Sequence, residues 1–598
     1  MEGSKKLLKR SEIPDTAKWD VNKIFASDDK WEEAFKVAKE EAKKLSEYQG
    51  KLKEANMLLE FLKLDEKISR DVEKIMMYAF LKSDEDTKNT TYQGIKGRVN
   101  SYVAELQGST AFFVPEILSF EDDFVEKVIK ENKELELYRF YLERIMSKKP
   151  HILTKEKEEL LASASELFDA PHSIYSIFAN ADLKFPKIKN EENEEMQLTE
   201  AMYSQFIKSK DRNVRENAFR SLFKTYGEFR NTIATSLVSS IKTWNFNAKI
   251  RSYSNAIESA LAPNNIPVSV YDNTIEAINK NLPLLHRYVK LKKKMLKLDE
   301  IHMYDLYVPV IDTPKEHIEF KEAVTIANEA LKPLGDEYLS IFNSGIENSW
   351  IDIYPNEGKR SGAYSWGCYD TMPYVLLNYT YELNDVSTFV HEMGHSIHSY
   401  YSRKSQPYIY SDYVIFCAEV ASTTNEILLI NHLIHKEKDK TKKLYLINSQ
   451  LEQIRATVFR QVMFAEFEKI THETLEKGDS LTADDLCSIW HNLNVKYFGP
   501  DMVVDEEIDM EWARIPHFYS DFYVYQYATG YAAASSFAKM ILEEKEGALE
   551  KYKGFLKSGG SNYPIEILKE AGVDMTTAKP IEDTMDTFRQ LLDMIEEI

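Results

Sequence analysis

The chain has 598 residues, 43% hydrophobic and 29% charged, close to the globular averages of about 45–50% and about 25%, which argues against a disordered chain and against a membrane bundle. Its 76 basic and 97 acidic residues leave a formal charge of −21, a field that repels phosphate backbones and anionic bilayers, so neither nucleic acid nor membrane is an expected partner. Only 20 glycines and 18 prolines occur, where ordinary usage gives about 40 and about 30, and that deficit favours helices over turn-rich β architecture.

The N-terminal stretch MEGSKKLLKRSEIPDTAKWD is basic but lacks the apolar run of a secretory signal. Cys368, Cys417 and Cys487 are too few and too scattered for a disulfide framework, and their odd number suits a reducing compartment. A cytoplasmic protein is the expectation. Trp31, Phe35, Ala38, Ala42 and Leu45 recur at helical spacing behind an Asp29-to-Glu32 capping pattern. Further helices are expected near 70–83, 91–110 and 154–168, with the sequence DAPHS breaking the last.

Around 182–198 short alternating runs flank the acids Glu191, Glu192, Glu194 and Glu195, which reads as a surface hairpin and as the candidate boundary between two lobes. Helical periodicity resumes over 199–250 and 269–298, separated by the proline- and asparagine-rich ALAPNNIPVSVYDN. Residues 345–381, rich in Tyr, Trp, Ile and Val, form the one convincing β region. Within it Tyr374, Val375 and Leu376 read as a strand whose exposed edge could pair with an extended peptide. Helical patterns then run to the C-terminus, broken by NVKYFGPDMVVD and by the tyrosine-dense HFYSDFYVYQYATGYAAASSFA at 517–538.

The chemistry concentrates in His391-Glu392-Met393-Gly394-His395, which follows a plausible N-cap at Asp385. Residues four apart share one helix face, about 5–6 Å between Cβ atoms, so two imidazoles can grip one ion. Glu392 lies about 100° round the helix, placed to reach a metal-bound water rather than to act as a third ligand. Independent draws at this composition give about 0.05 such patterns per chain. Gly394 costs the helix about 1 kcal/mol, which points to a place where another backbone comes close.

A catalytic zinc site takes three protein ligands and keeps one position open. His398 shares the face of His391 but lies about 10 Å further along the axis, which suits it better to support or substrate contact. Glu419, 24 residues after His395 in FCAEVASTTNEILL, could supply a carboxylate from a second helix and complete a His₂Glu set.

Three segments, HEMGHSIH with its EVAS glutamate, RSGAYSWGCYDTMPYVLLNYTYELNDVSTF before it and HFYSDFYVYQYATG after it, resemble oligoendopeptidase F, of the thimet oligopeptidase and neurolysin family of zinc metallopeptidases. The resemblance implies a mainly α, two-lobed helical zincin with a small β region beside the metal helix and a deep substrate channel. It implies an N-terminal helical lobe over 1–195 and a catalytic region over 196–598. One Zn²⁺ per chain would be held by His391, His395 and Glu419, with Glu392 as general base. His517, Tyr523 and Tyr527 would be catalytic, and His398, Tyr374, Val375, Leu376 and Tyr531 would touch substrate. The expected function is hydrolysis of internal bonds in short unstructured peptides, with the metal-bound water as nucleophile. The alternatives are a zinc carboxypeptidase or dipeptidyl carboxypeptidase, which would trim from the C-terminus, and a non-catalytic helical peptide-binding protein. Oligomeric state is not readable.

Overall fold

A computed structural model describes residues 7–312 and 316–598; residues 1–6, where the basic N-terminal stretch begins, lie outside them. The fold is mainly α, with three small sheets among the described residues. No described helix is long and apolar enough to cross a membrane.

The first helix, Asp28–Ala42, buries Trp31, Phe35, Ala38 and Ala42 along one face. Its cap is Ser27, whose hydroxyl accepts the Lys30 amide at 3.3 Å, two residues earlier than the Asp29-to-Glu32 pattern implied. Trp31 stacks on Phe35 and donates its indole hydrogen to the Ile75 carbonyl at 2.9 Å, docking this helix on the next. That next helix, Ala55–Glu85, extends well beyond the expected 70–83, because its buried face runs unbroken from Leu58 to Leu81. DAPHS does not break a helix. Pro171 sits inside Ser165–Ile177, where the turn before it is exposed at Leu167 and water can satisfy the carbonyls the proline leaves free. The expected hairpin is present as Lys187–Lys189 against Glu195–Gln197, antiparallel, with Asn193 at φ 62° in its turn and all four acids exposed.

The chain divides into two compact units that do not follow the expected cut at 195/196. One comprises 1–150, 316–432 and 537–572; the other comprises 151–315, 433–536 and 573–598. The hairpin at 187–197 is therefore internal to the second unit. Alternating runs and a polar turn mark a hairpin equally well inside a unit or between two, and local composition does not carry the long-range contacts that decide.

In the first unit a three-stranded sheet has the order Ile351–Asp352, Tyr374–Leu376, Tyr364–Trp366, parallel then antiparallel. Beside it runs the helix Leu383–Ser405, which carries HEMGH. This helix begins at Glu382, and Asp385 acts from its third position: one carboxylate oxygen accepts the amides of Glu382 and Thr380 and the Thr380 hydroxyl at 2.8–3.0 Å. Across it packs the helix Ile415–Lys436. A Cβ added at Gly394 would stand 2.7 Å from Ser422 Cα and 3.1 Å from the Ala421 carbonyl, so the backbones meet where only hydrogen fits between them.

This contact makes a prediction of sign. Gly394→Ala in an unhindered helix would stabilise it by about 1 kcal/mol through propensity, but here the methyl meets backbone and overpacking costs about 1–3 kcal/mol. The expected result is a lower melting temperature by calorimetry. A higher one would show that the helices are not in this contact.

Candidate metal centre

His391 and His395 lie one turn apart on the Leu383–Ser405 helix, with their Nε2 atoms 3.1 Å from each other. Glu419 Oε2, from the Ile415–Lys436 helix, is 3.4 Å from both. Bonds of about 2.0–2.1 Å in tetrahedral array put ligand atoms about 3.3 Å apart, so the three donors fit a zinc ion as they stand. The imidazoles are 25% and 18% exposed and the Glu419 side chain 48%. One side of the centre thus stays open, as a catalytic site requires and a closed structural site does not.

Glu426, seven residues after Glu419 on the same helix, was not singled out from sequence. Its carboxylate is 3.3 Å from His391 Nδ1, which directs that ring's hydrogen away from the centre and leaves Nε2 as the donor. The signal was available as an i, i+7 pair of acids on one helix face. Burial would lower the His391 pKa, but Glu419 and Glu426 outweigh it and raise it to about 10. Burial would raise Glu419, but hydrogen bonds from the two histidines reverse the effect and hold it well below the carboxylate range. The donor set therefore demands positive charge at its focus, and the chemistry of two imidazoles and a carboxylate suits zinc.

Glu392 points off that focus and is 8% exposed. Burial raises its pKa against the opposing pull of His391 and His395. The backbone of Ser365 in the strand Tyr364–Trp366 opposes that rise from close by, and the Ser365 and Ser396 hydroxyls are 2.8 Å apart. The edge strand thus lies beside Glu392.

The strand expected to offer an edge does not. Tyr374–Leu376 is the central strand, paired on both sides, with all three side chains buried; the Tyr374 hydroxyl donates to the Asp20 carbonyl at 3.0 Å. The edge beside the metal helix belongs to Tyr364–Trp366, since strand composition marks a strand but not its place in a sheet. His398 is also corrected. It is 1% exposed, stacked on Tyr413 at 3.7 Å and packed against Phe555, with burial pushing its pKa down to about 3, so it is a neutral core residue and not a substrate contact.

His517, Tyr523 and Tyr527 belong to the second unit and gather there. The Tyr527 hydroxyl is 3.4 Å from His517 Nε2, and the ring centres of the three lie 5.6–6.0 Å apart. All three are half-buried, and burial lowers the His517 pKa, keeping the ring neutral near pH 7. Tyr531, on the same helix as Tyr527, is 3% exposed and presents no open face to a ligand.

Comparison with known proteins gives the chain its relatives. The family model for peptidase family M3 matches residues 205–587, and that for oligopeptidase F matches 116–185. The chain is 47% identical over 590 residues to oligopeptidase PepF of Bacillus subtilis (strain 168), covering 98% of this chain and 88% of that one. It is 40% identical to the oligoendopeptidase F homolog of Lactococcus lactis subsp. lactis (strain IL1403), over 98% of each. Among solved structures, oligoendopeptidase-F from Enterococcus faecium aligns with a TM-score of 0.74 at 42% identity over 95% of this chain and 99% of that one. A putative peptidase from Chlamydophila abortus aligns with a TM-score of 0.93 at 35% identity over 99% and 100%. Fold, donors and relatives together define a metallopeptidase acting on oligopeptides. The chain belongs to peptidase family M3 and, within it, groups with oligoendopeptidase F.

Because unligated His391 is protonated below about pH 10, a metal ion must displace that proton, and apparent zinc affinity should rise with pH up to that value. At pH 8 the expected release is about one proton per zinc bound, read by calorimetry in buffers of different ionisation enthalpy. Binding without proton release would mean that His391 is already neutral.

Proposed function

We propose that the chain is a zinc-dependent oligoendopeptidase that cuts internal bonds of short unstructured peptides in the cytoplasm. The observation that carries this reading is the convergence of His391, His395 and Glu419 donors with Glu392 beside them. The names of the relatives support internal cleavage over terminal trimming. Held by these three residues, zinc would supply Lewis acidity toward the scissile carbonyl and activation of water near neutral pH.

Glu392 supplies the base. Its buried carboxylate takes a proton from the attacking water at an Oε atom and returns it to the nitrogen of the leaving amine, and the raised pKa brings its proton affinity nearer to that task. The strand that carries Ser365 packs beside Glu392 and limits the reorientation its carboxylate needs in the transition state. His517 and Tyr527, and with them Tyr523, are assigned to hydrogen bonding the oxyanion that develops on the carbonyl. A neutral His517 can donate one ring hydrogen, and Tyr527 its hydroxyl.

Glu392→Gln should keep zinc, measured by elemental analysis, and lose turnover by several orders of magnitude, because the ligands remain and the base is gone. Near-normal hydrolysis of a fluorogenic peptide by the metal-loaded variant would remove Glu392 from the role. Tyr527→Phe should lower kcat far more than it raises KM if its hydroxyl acts in the transition state; a change confined to KM would make it a substrate anchor. Mass-spectrometric mapping of products from peptides of mixed length tests the class itself, with chelator-sensitive internal cuts expected and stepwise loss of C-terminal residues contradicting it.

A further inference from the structure

A second set of metal-type donors lies within the other unit. The helix Arg460–Glu476 presents Glu468 and His472 four residues apart on one face, and Asp521 enters from the turn preceding the helix Tyr525–Leu542. One ligand atom from each lies within 4.8 Å of the others. Glu468 and His472 are each 3% exposed and the Asp521 side chain 9%.

The hydrogen-bond pattern shows which atoms face the centre. Asn245 donates from Nδ2 to the His472 carbonyl at 3.3 Å, which turns its Oδ1 toward His472 Nδ1 at 3.0 Å. An amide oxygen only accepts, so Nδ1 carries the ring hydrogen and Nε2 presents a lone pair. That lone pair is 3.7 Å from Asp521 Oδ1, a buried oxygen with no hydrogen-bond partner. Glu468 accepts the Phe522 amide at 2.7 Å on Oε1, while its Oε2 lies 3.4 Å from the Tyr271 hydroxyl, which also donates to the Ala465 carbonyl at 2.7 Å. Neither carboxylate forms an ion pair with a lysine or arginine among the described residues.

Three acceptors facing one another in a buried space, with one oxygen unsatisfied, offer a place for a cation. We infer that Glu468, His472 and Asp521 bind a second divalent metal ion, distinct from the catalytic one, and that the donor set of one imidazole and two carboxylates selects zinc over the all-oxygen cations magnesium and calcium. Its burial makes it structural. The oriented histidine, with its second nitrogen donating to Asn245, is the arrangement that metal-ligating imidazoles usually show. The ion ties the Arg460–Glu476 helix to a turn in which Phe522 holds φ 48°, a conformation a bulky side chain rarely adopts, and the same turn carries Tyr523. Without a metal, burial pushes the Asp521 carboxyl up to about 8 and Glu468 well above its ordinary value, so the competing occupant is a proton.

The test is the zinc content of the full chain by elemental analysis, after zinc loading and gel filtration. The wild type should hold two equivalents, His391→Ala with His395→Ala one, and Asp521→Asn one. One equivalent in the wild type and none in the double histidine variant would overturn the inference and leave a proton as the occupant. One equivalent in both would uphold the buried site and fail the catalytic one instead. The double variant leaves the buried triad untouched, so the test stands if Asp521→Asn does not fold. Where Asp521→Asn does fold, it should melt lower than wild type in zinc and equal to it in chelator; a melting temperature independent of zinc in both counts against the inference.

Discussion

The close approach of Gly394 to the backbone of Ser422 is the contact on which the metal centre depends. Two imidazoles one turn apart are a property of any helix, but a carboxylate from a second helix reaches both only if the helix axes come nearer than side chains normally allow. Without a Cβ at Gly394 the Ile415–Lys436 helix seats with Glu419 Oε2 at 3.4 Å from each Nε2. The same seating brings Glu426 to the far nitrogen of His391. One helix thus supplies both a ligand and the residue that orients a ligand on its neighbour, and a half-ångström change in their spacing would disturb both.

The charge balance of the centre follows from that geometry. Glu419 and Glu426 set two acids against His391, while Glu392 is buried beside the strand that carries Ser365. Acids of one residue type thereby acquire different duties from their surroundings: Glu419 is held ionised by hydrogen bonds, and Glu392 is raised by burial. These differences suit the proposed roles, since a ligand must remain charged at all working pH values, whereas a base must be able to take up a proton and give it back.

What sequence reveals about this protein follows the range of the interactions involved. The helical class and the buried face from Trp31 to Ala42 are legible because amphipathic spacing is local. The pairing of His391 with His395 is legible for the same reason, and Gly394 announces a close neighbour by its cost. Three other features depend on packing between distant segments. The central place of Tyr374–Leu376 is set by Ile351–Asp352 on one side and Tyr364–Trp366 on the other. His398 shares the ligand face by periodicity, yet Tyr413 and Phe555 enclose it. The acidic turn at 190–194 looks like a boundary and lies inside a unit, because its composition reports only that it is exposed.

The interleaved order of the two units has a consequence for synthesis. The unit that holds the candidate metal donors needs residues 1–150, 316–432 and 537–572, and the chain passes between the units five times. Neither unit is complete until almost the whole chain has left the ribosome, so the usual order of N-terminal domain first does not apply. The core around residues 28–85 is built mostly from residues 19–145, but Cys368, Tyr374 and Leu376, encoded more than two hundred codons downstream, complete it. A premature stop before residue 572 would release a chain in which neither unit is complete, and this enzyme should lean on chaperone holding during its own synthesis more than its helical content would imply.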